Sequence, residues 1–173
     1  MLNYLVIVLL LLVALQVYFR LAVVYGIIDR PNERSSHRKP TIRGGGIVFP
    51  LALICWFLFF DFQFPLLLLG AILVAFTSFI DDMVSLNFRL RLLTQFLGVA
   101  LMLYHLGPLQ EMWWFYPLFF VLTAGWLNAF NFMDGINGIT ALYSLCTLLA
   151  FQWLNYQDPF LPSTFIWVLV LAV

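Results

Sequence analysis

The first nineteen residues, MLNYLVIVLLLLVALQVYF, contain no charged side chain, and the first positive charge is Arg20. A stretch this apolar cannot lie along water, and its length is that of a membrane-crossing helix, which needs about 17–25 such residues. Comparable runs recur at roughly 2–24, 46–61, 64–80, 92–106, 113–130 and 139–154, with another from about 160 to Val173. The second and fourth are short for a span. Strict alternation of polar and apolar residues, the mark of a membrane barrel, is missing, so the runs are read as helices. The charged content is only 9%, against roughly 25% in an ordinary globular domain, and the mean hydropathy is +1.02. These features predict an all-α fold: a polytopic transmembrane helical bundle of six to seven spans, forming one integral-membrane domain over residues 1–173.

Residues 1–19 lack a basic leading segment, so a permanent first span is expected rather than a cleaved signal. The formal net charge is zero, which leaves no basic footprint for nucleic acid. Cys55 and Cys146 sit inside apolar runs and suggest no disulfide framework. The last apolar run has no polar cap, which predicts the N-terminal part of a longer chain.

If the runs alternate across the membrane, the connections at about 25–45, 81–91 and 131–138 share one side. Arg30, Arg34, Arg38, Lys39 and Arg43 lie in the first of these, and Arg89 and Arg91 in the second. Arg20 sits near the same end of the first span. The opposite connections hold Asp61, Glu111 and Asp158 instead. Basic residues mark the cytoplasmic side, so the N-terminus is expected outside.

Each cytoplasmic connection carries a polar cluster. The first, DRPNERSSHRKPTIRGGGI at 29–47, joins basic side chains to Gly44, Gly45 and Gly46, where backbone amides can approach a ligand. That combination suits a phosphate-bearing group, although a basic loop that only fixes topology would read the same way. The second, FIDDMVSLNFRLRLLTQF at 79–96, places Asp81 and Asp82 at the end of an apolar span. Adjacent carboxylates there repel unless a cation or basic partner intervenes. Magnesium, which prefers oxygen ligands, fits such a pair, while a helix cap is the plainer alternative. Arg89 and Arg91 are read as snorkelling to the interface.

The third cluster is GWLNAFNFMDGINGIT at 125–140. Asn128, Asn131 and Asp134 are spaced three apart, so a continuous helix would align them along one face. Gly135 and Gly138 suggest a helix break and restart. A polar turn explains the residue types, but not the row of oxygen-bearing groups running back into the apolar span. Two spans and a short outer turn separate Asp82 from Asn128, so both clusters can return to the same side, as a metal-dependent site requires.

The blocks DRPNERSSHRKPTIRGGGI, DDMVSLNFRLRLLTQF and NAFNFMDGING, in this order over residues 29–138, resemble those of the polyprenyl-phosphate N-acetylhexosamine-1-phosphate transferases. This is glycosyltransferase family 4, which includes the phospho-N-acetylmuramoyl-pentapeptide transferase of peptidoglycan synthesis. The first block is closer to the branch that primes O-antigen and other surface polysaccharides. The resemblance implies a bundle of about ten spans in the bacterial inner membrane, with its active site facing the cytoplasm. It implies attack of undecaprenyl phosphate on the β-phosphate of a UDP-N-acetylhexosamine, releasing UMP. It further implies Mg²⁺, or Mn²⁺ in its place, held by Asp134, with Asp81 and Asp82 as catalytic carboxylates. Asn128 and Asn131, with Arg34, His37, Arg43, Gly44, Gly45 and Gly46, would bind substrate. A homodimer is compatible with this reading.

Many relatives carry DGxDG where this sequence has Asn137, so no role is assigned to that position. The later histidine-containing loop of the family is absent from these residues. A CDP-alcohol-type phosphotransferase would need further aspartates after Gly135, and 139–157 has none. A prenyltransferase DDxxD motif fails at Ser85. A non-catalytic scaffold or a truncated paralogue is the other alternative.

Overall fold

A computed structural model describes residues 1–29, 40–84, 86–106, 113–133 and 138–173, and these are helical almost throughout. In chain order the α-helices are α1 Leu2–Tyr25, α2 Val48–Phe59, α3 Pro65–Met83, α4 Phe88–Leu106, α5 Tyr116–Met133, α6 Ile139–Gln157 and α7 Ser163–Ala172. Every apolar run read from the sequence overlaps one of them. By length and composition α1 and α3 are able to cross a membrane, while Gly45–Phe59, Tyr116–Phe130 and Ser163–Ala172 are shorter apolar helices. An element absent from the all-α expectation closes the base of the first connection. Two short strands, β1 Ile28–Asp29 and β2 Thr41–Ile42, pair antiparallel with Ile28 opposite Ile42 and Asp29 opposite Thr41.

Local chemistry sets the helix ends. Gly26 adopts the left-handed conformation after α1 (φ 69°), which lets the Ile27 N–H return to the Ala22 carbonyl at 2.8 Å. This is a Schellman closure, and it satisfies a carbonyl the helix leaves over. At the start of α3, Pro65 occupies a first-turn position whose missing N–H costs nothing. Left-handed Gly138 (φ 84°) precedes α6, where the sequence predicts a restart.

The chain divides into two compact units, Met1–Phe62 with Asp134–Val173, and Gln63–Met133. In the first, Ile7 and Leu11 of α1, Ala52 and Trp56 of α2, and Ile166 and Val168 of α7 are buried. Polar and aromatic contacts join these helices. The Trp56 indole donates to the Thr164 hydroxyl at 3.0 Å and meets the Phe165 ring edge-on at 5.0 Å. Asn155, only 2% exposed, fastens the α6–α7 turn. Its Oδ1 accepts from the backbone N–H of Phe160 and of Leu161, each at 2.9 Å, and its Nδ2 donates to the Leu161 carbonyl at 2.8 Å.

In the second unit α3 and α4 form an antiparallel hairpin whose backbones touch. A methyl group on Gly70 would overlap the Gly98 carbonyl oxygen, and one on Gly98 would lie 2.5 Å from Val74 Cγ2 and 2.9 Å from the Gly70 oxygen. Lipid tails are as apolar as leucine, so helices in a bilayer associate through such close packing rather than by escaping their solvent. On its other side α4 meets α5 through an edge-to-face pair of Phe96 and Phe120, centroids 5.6 Å apart. Large apolar side chains remain exposed along the helices, including Phe76, Leu93, Val121 and Trp153. Water-soluble monomers rarely expose apolar surface on this scale.

Replacing Asn155 with alanine strands two partly buried backbone amides, and should lower stability by about 1–2 kcal/mol. The unfolding midpoint in mixed detergent micelles measures this; an unchanged midpoint would show that the turn does not depend on the amide.

Candidate functional site

α3 ends with Asp81 in its last turn. A carboxylate there faces the negative end of the helix dipole and is unfavourable without donors. Asp81 has two of them. Oδ1 accepts the Leu86 N–H at 2.8 Å, and Oδ2 lies 3.0 Å from Arg91 Nη1. The first bond folds the α3–α4 turn. Asn87 then starts α4, its Oδ1 accepting the Arg89 N–H at 3.0 Å as an N-cap. One helical turn later the chain presents Arg91, which the short connection has returned to Asp81.

The Arg91 guanidinium serves two helices. Besides Asp81, it donates through Nη2 to Asn128 Oδ1 on α5 at 2.6 Å. Asn128 Nδ2 in turn donates to its own helix at the Ala124 carbonyl, 2.7 Å, and to Gln95 Oε1 at 3.2 Å. Asp81, Arg91, Gln95 and Asn128 thus form one chain of contacts over α3, α4 and α5. The Asp81 and Arg91 side chains are 13% and 23% exposed, so solvent screens their attraction far less than it does a surface pair. A lysine could not reproduce this bridge, because it lacks the planar fork that reaches two acceptors.

Beside the network lies a cavity of about 40 Å³, lined by Thr77, Ser78, Asp81, Arg91 and Gln95 among others. Guanidinium, amide and hydroxyl donors suit phosphate oxygens. The Asp81 carboxylate suits a hard cation or a proton.

Of the residues singled out in the sequence, the structure joins Asp81 and Asn128, through Arg91. Asp82 follows Asp81 and is exposed. Asn131 lies in α5, one turn beyond Asn128. Arg34, His37, Asp134 and Asn137 fall outside the described residues. Arg43, Gly44, Gly45 and Gly46 belong to the other compact unit. There the Arg43 N–H donates to the Ile27 carbonyl at 3.2 Å, and the Arg43 carbonyl accepts from the Tyr18 hydroxyl. Gly44 is left-handed at φ 76°, whereas a methyl group on Gly45 or Gly46 would meet nothing within 4 Å. Among the described residues no three His, Cys, Asp or Glu side chains are grouped to hold a metal.

Arg91 and Gln95 are the contributors that sequence reasoning missed. Arg91 was expected to snorkel; it is instead bound to Asp81 and Asn128, because a four-residue turn brings the first turn of α4 back to the last turn of α3. The signal was available in that turn length, together with a glutamine one turn further into an apolar helix.

Comparison with known proteins shows the family. The family model for glycosyl transferase family 4 matches residues 64–173. The chain is 27% identical over 146 residues to a probable undecaprenyl-phosphate N-acetylglucosaminyl 1-phosphate transferase of Bacillus subtilis (strain 168), covering 75% of this chain and 40% of that protein. It is 32% identical over 130 residues to the undecaprenyl-phosphate alpha-N-acetylglucosaminyl 1-phosphate transferase of Thermotoga maritima, covering 70% and 41%. The protein of that name in Yersinia pestis is 32% identical over 155 residues, covering 80% and 42%. The chain thus spans about two fifths of the length of these relatives. No solved structure gives a significant match. A family model that covers most of the chain, including all of α3 to α7, shows that the protein belongs to glycosyl transferase family 4, the polyprenyl-phosphate N-acetylhexosamine-1-phosphate transferases.

Proposed function

We propose that this protein acts in transferring a sugar-1-phosphate from a UDP-N-acetylhexosamine to undecaprenyl phosphate. The observation that carries the reading is the Asp81–Arg91–Asn128 network within a chain of this family. An oxygen of the lipid phosphate attacks the β-phosphorus of the donor, the bond to the bridging oxygen breaks, and UMP leaves. The product is a lipid diphosphate sugar that starts a surface polysaccharide. The names of the relatives point to N-acetylglucosamine as the sugar.

The chain's own residues divide this work. Arg91 supplies a fixed positive charge where phosphate oxygens would lie, and Asn128 orients it from α5. Asp81, held by Leu86 and Arg91, and Asp82 beside it orient or deprotonate the acceptor phosphate. The resemblance to the family assigns substrate binding also to Asn131, Arg34, His37, Arg43 and Gly44 to Gly46. The donors at hand are hard oxygens, which fit Mg²⁺ or Mn²⁺, and the resemblance to the family makes Asp134 the residue that would hold the ion, with help from Asp81 and Asp82. When bound, it would neutralise the diphosphate and the charge on departing UMP.

The apolar runs are taken to cross the bacterial inner membrane, with the N-terminus outside and the basic connections in the cytoplasm. In a chain whose Cys55 and Cys146 are replaced, Arg89→Cys should react with an impermeant thiol reagent only from the cytoplasmic side. Asp158→Cys should react only from outside. Labelling of both from one side would overturn the topology.

Membranes carrying the complete gene product should form lipid-linked sugar phosphate from labelled UDP-N-acetylglucosamine, undecaprenyl phosphate and Mg²⁺. Asp134→Asn should lower that turnover by about a hundredfold, the scale of losing one transition-state contact. Unchanged turnover would remove Asp134 from the metal site. If no UDP-N-acetylhexosamine gives product, a scaffold role replaces the transferase.

Arg91→Lys keeps the charge but loses the bridge, and should cost about tenfold in turnover, roughly the value of one charge-assisted hydrogen bond. Arg91→Ala should cost more. Equal turnover for Lys and Arg would show that the fork is not used.

A further inference from the structure

Three levels can be read along the α3–α4 hairpin. At the first, Asp81 pairs with Arg91. One turn deeper, Thr77 and Ser78 of α3 and Gln95 of α4 line the cavity. Two turns deeper, seven residues from Asp81 and from Arg91 respectively, are Val74 and Gly98, roughly 10 Å along each helix. Val74 belongs to both the cavity and the helix contact. It lines the cavity, and its Cγ2 occupies the space a side chain on Gly98 would need, 2.5 Å from where that Cβ would sit. Gly98 cannot acquire a methyl group without displacing Val74 or separating α3 from α4, because the Gly70 carbonyl oxygen closes the other direction at 2.9 Å.

We infer that Val74, seated against Gly98, is the floor of this cavity and sets how far a phosphate group of the substrate can enter beneath the Asp81–Arg91 pair. Val74 and Gly98 are therefore positioning residues: they touch no reacting atom, but fix where the phosphate stops relative to Arg91. The inference rests on the transferase reading for its substrate. It does not rest on it for its geometry. A phosphate at this level is either that of the lipid acceptor or that of the nucleotide sugar, and both offer the oxygens that Ser78, Gln95 and Arg91 can meet.

Two readouts separate these claims. The first needs no activity. In the complete gene product with Cys55 and Cys146 replaced, Thr77→Cys places a thiol on the half-buried cavity wall, and a small methanethiosulfonate reagent reports access to it. Gly98→Ala should slow labelling by about fivefold or more by driving Val74 inward, and adding Val74→Ala should restore most of the rate. Gly125→Ala, where a methyl group meets nothing within 4 Å, should change nothing. If Gly98→Ala does not fold, Val74→Leu raises the same floor with Gly98 intact and should slow labelling likewise. Labelling unaffected by the folded floor variants would overturn the inference.

The second readout is kinetic, with Thr77 intact. Gly98→Ala should raise one KM by about tenfold, with recovery on adding Val74→Ala. A rise in the KM for undecaprenyl phosphate identifies the acceptor's phosphate, and a rise in that for the UDP-sugar identifies the donor's. Unchanged KM for both, in enzyme whose labelling has slowed, would overturn the role in substrate placement. If the unsubstituted protein makes no product, the transferase reading fails, while the labelling still decides whether Val74 is the floor.

Discussion

A carboxylate in the last turn of a membrane helix is opposed by two effects at once, the helix dipole and the cost of leaving water. Asp81 tolerates both because each of its oxygens has a donor, and the remainder of the second unit follows from how those donors arrive. The Leu86 amide can reach Asp81 only if the chain turns sharply after α3. That turn makes Asn87 the cap of α4, and the cap fixes where Arg91 emerges. Arg91 then has a second arm to spare for Asn128, which draws in α5. One local electrostatic problem, solved with backbone and guanidinium, thereby organises three helices around a polar centre.

The two units are held together differently. In the first, Trp56, Thr164 and Asn155 supply directional contacts through side chains. In the second, α3 and α4 meet through what Gly70 and Gly98 lack. Both solutions answer the same difficulty, that a bilayer gives apolar helices little reason to prefer one another to lipid. Side-chain hydrogen bonds specify a partner but need desolvated groups to be fully paired. Bare backbone needs no pairing, and brings helices close enough for polar side chains at their ends to meet.

The apolar runs announced each α-helix of the described residues, because a continuous uncharged stretch leaves little doubt about its solvent. The polar residues of α3 and α5 stood out for the same reason, as departures from that background. Arg91 did not, since an arginine near a helix end has an ordinary explanation in snorkelling, and only the geometry of the turn shows that its head is already bound. Gly70 and Gly98 were invisible for another reason. Single glycines in separate apolar runs acquire meaning only when a pairing register places them opposite each other, and register within lipid leaves little trace in hydropathy. The strand pair was missed because two residues are too few to show a period.

That strand pair has a consequence for how the first connection can vary. Ile28 lies opposite Ile42 and Asp29 opposite Thr41, so the stretch between them leaves and rejoins the fold at nearly the same point. With its two ends already fastened, the cost of changing its length grows only slowly, by about 0.6 kcal/mol for a doubling in a simple chain. Residues can be inserted there or exchanged without moving α1 or α2.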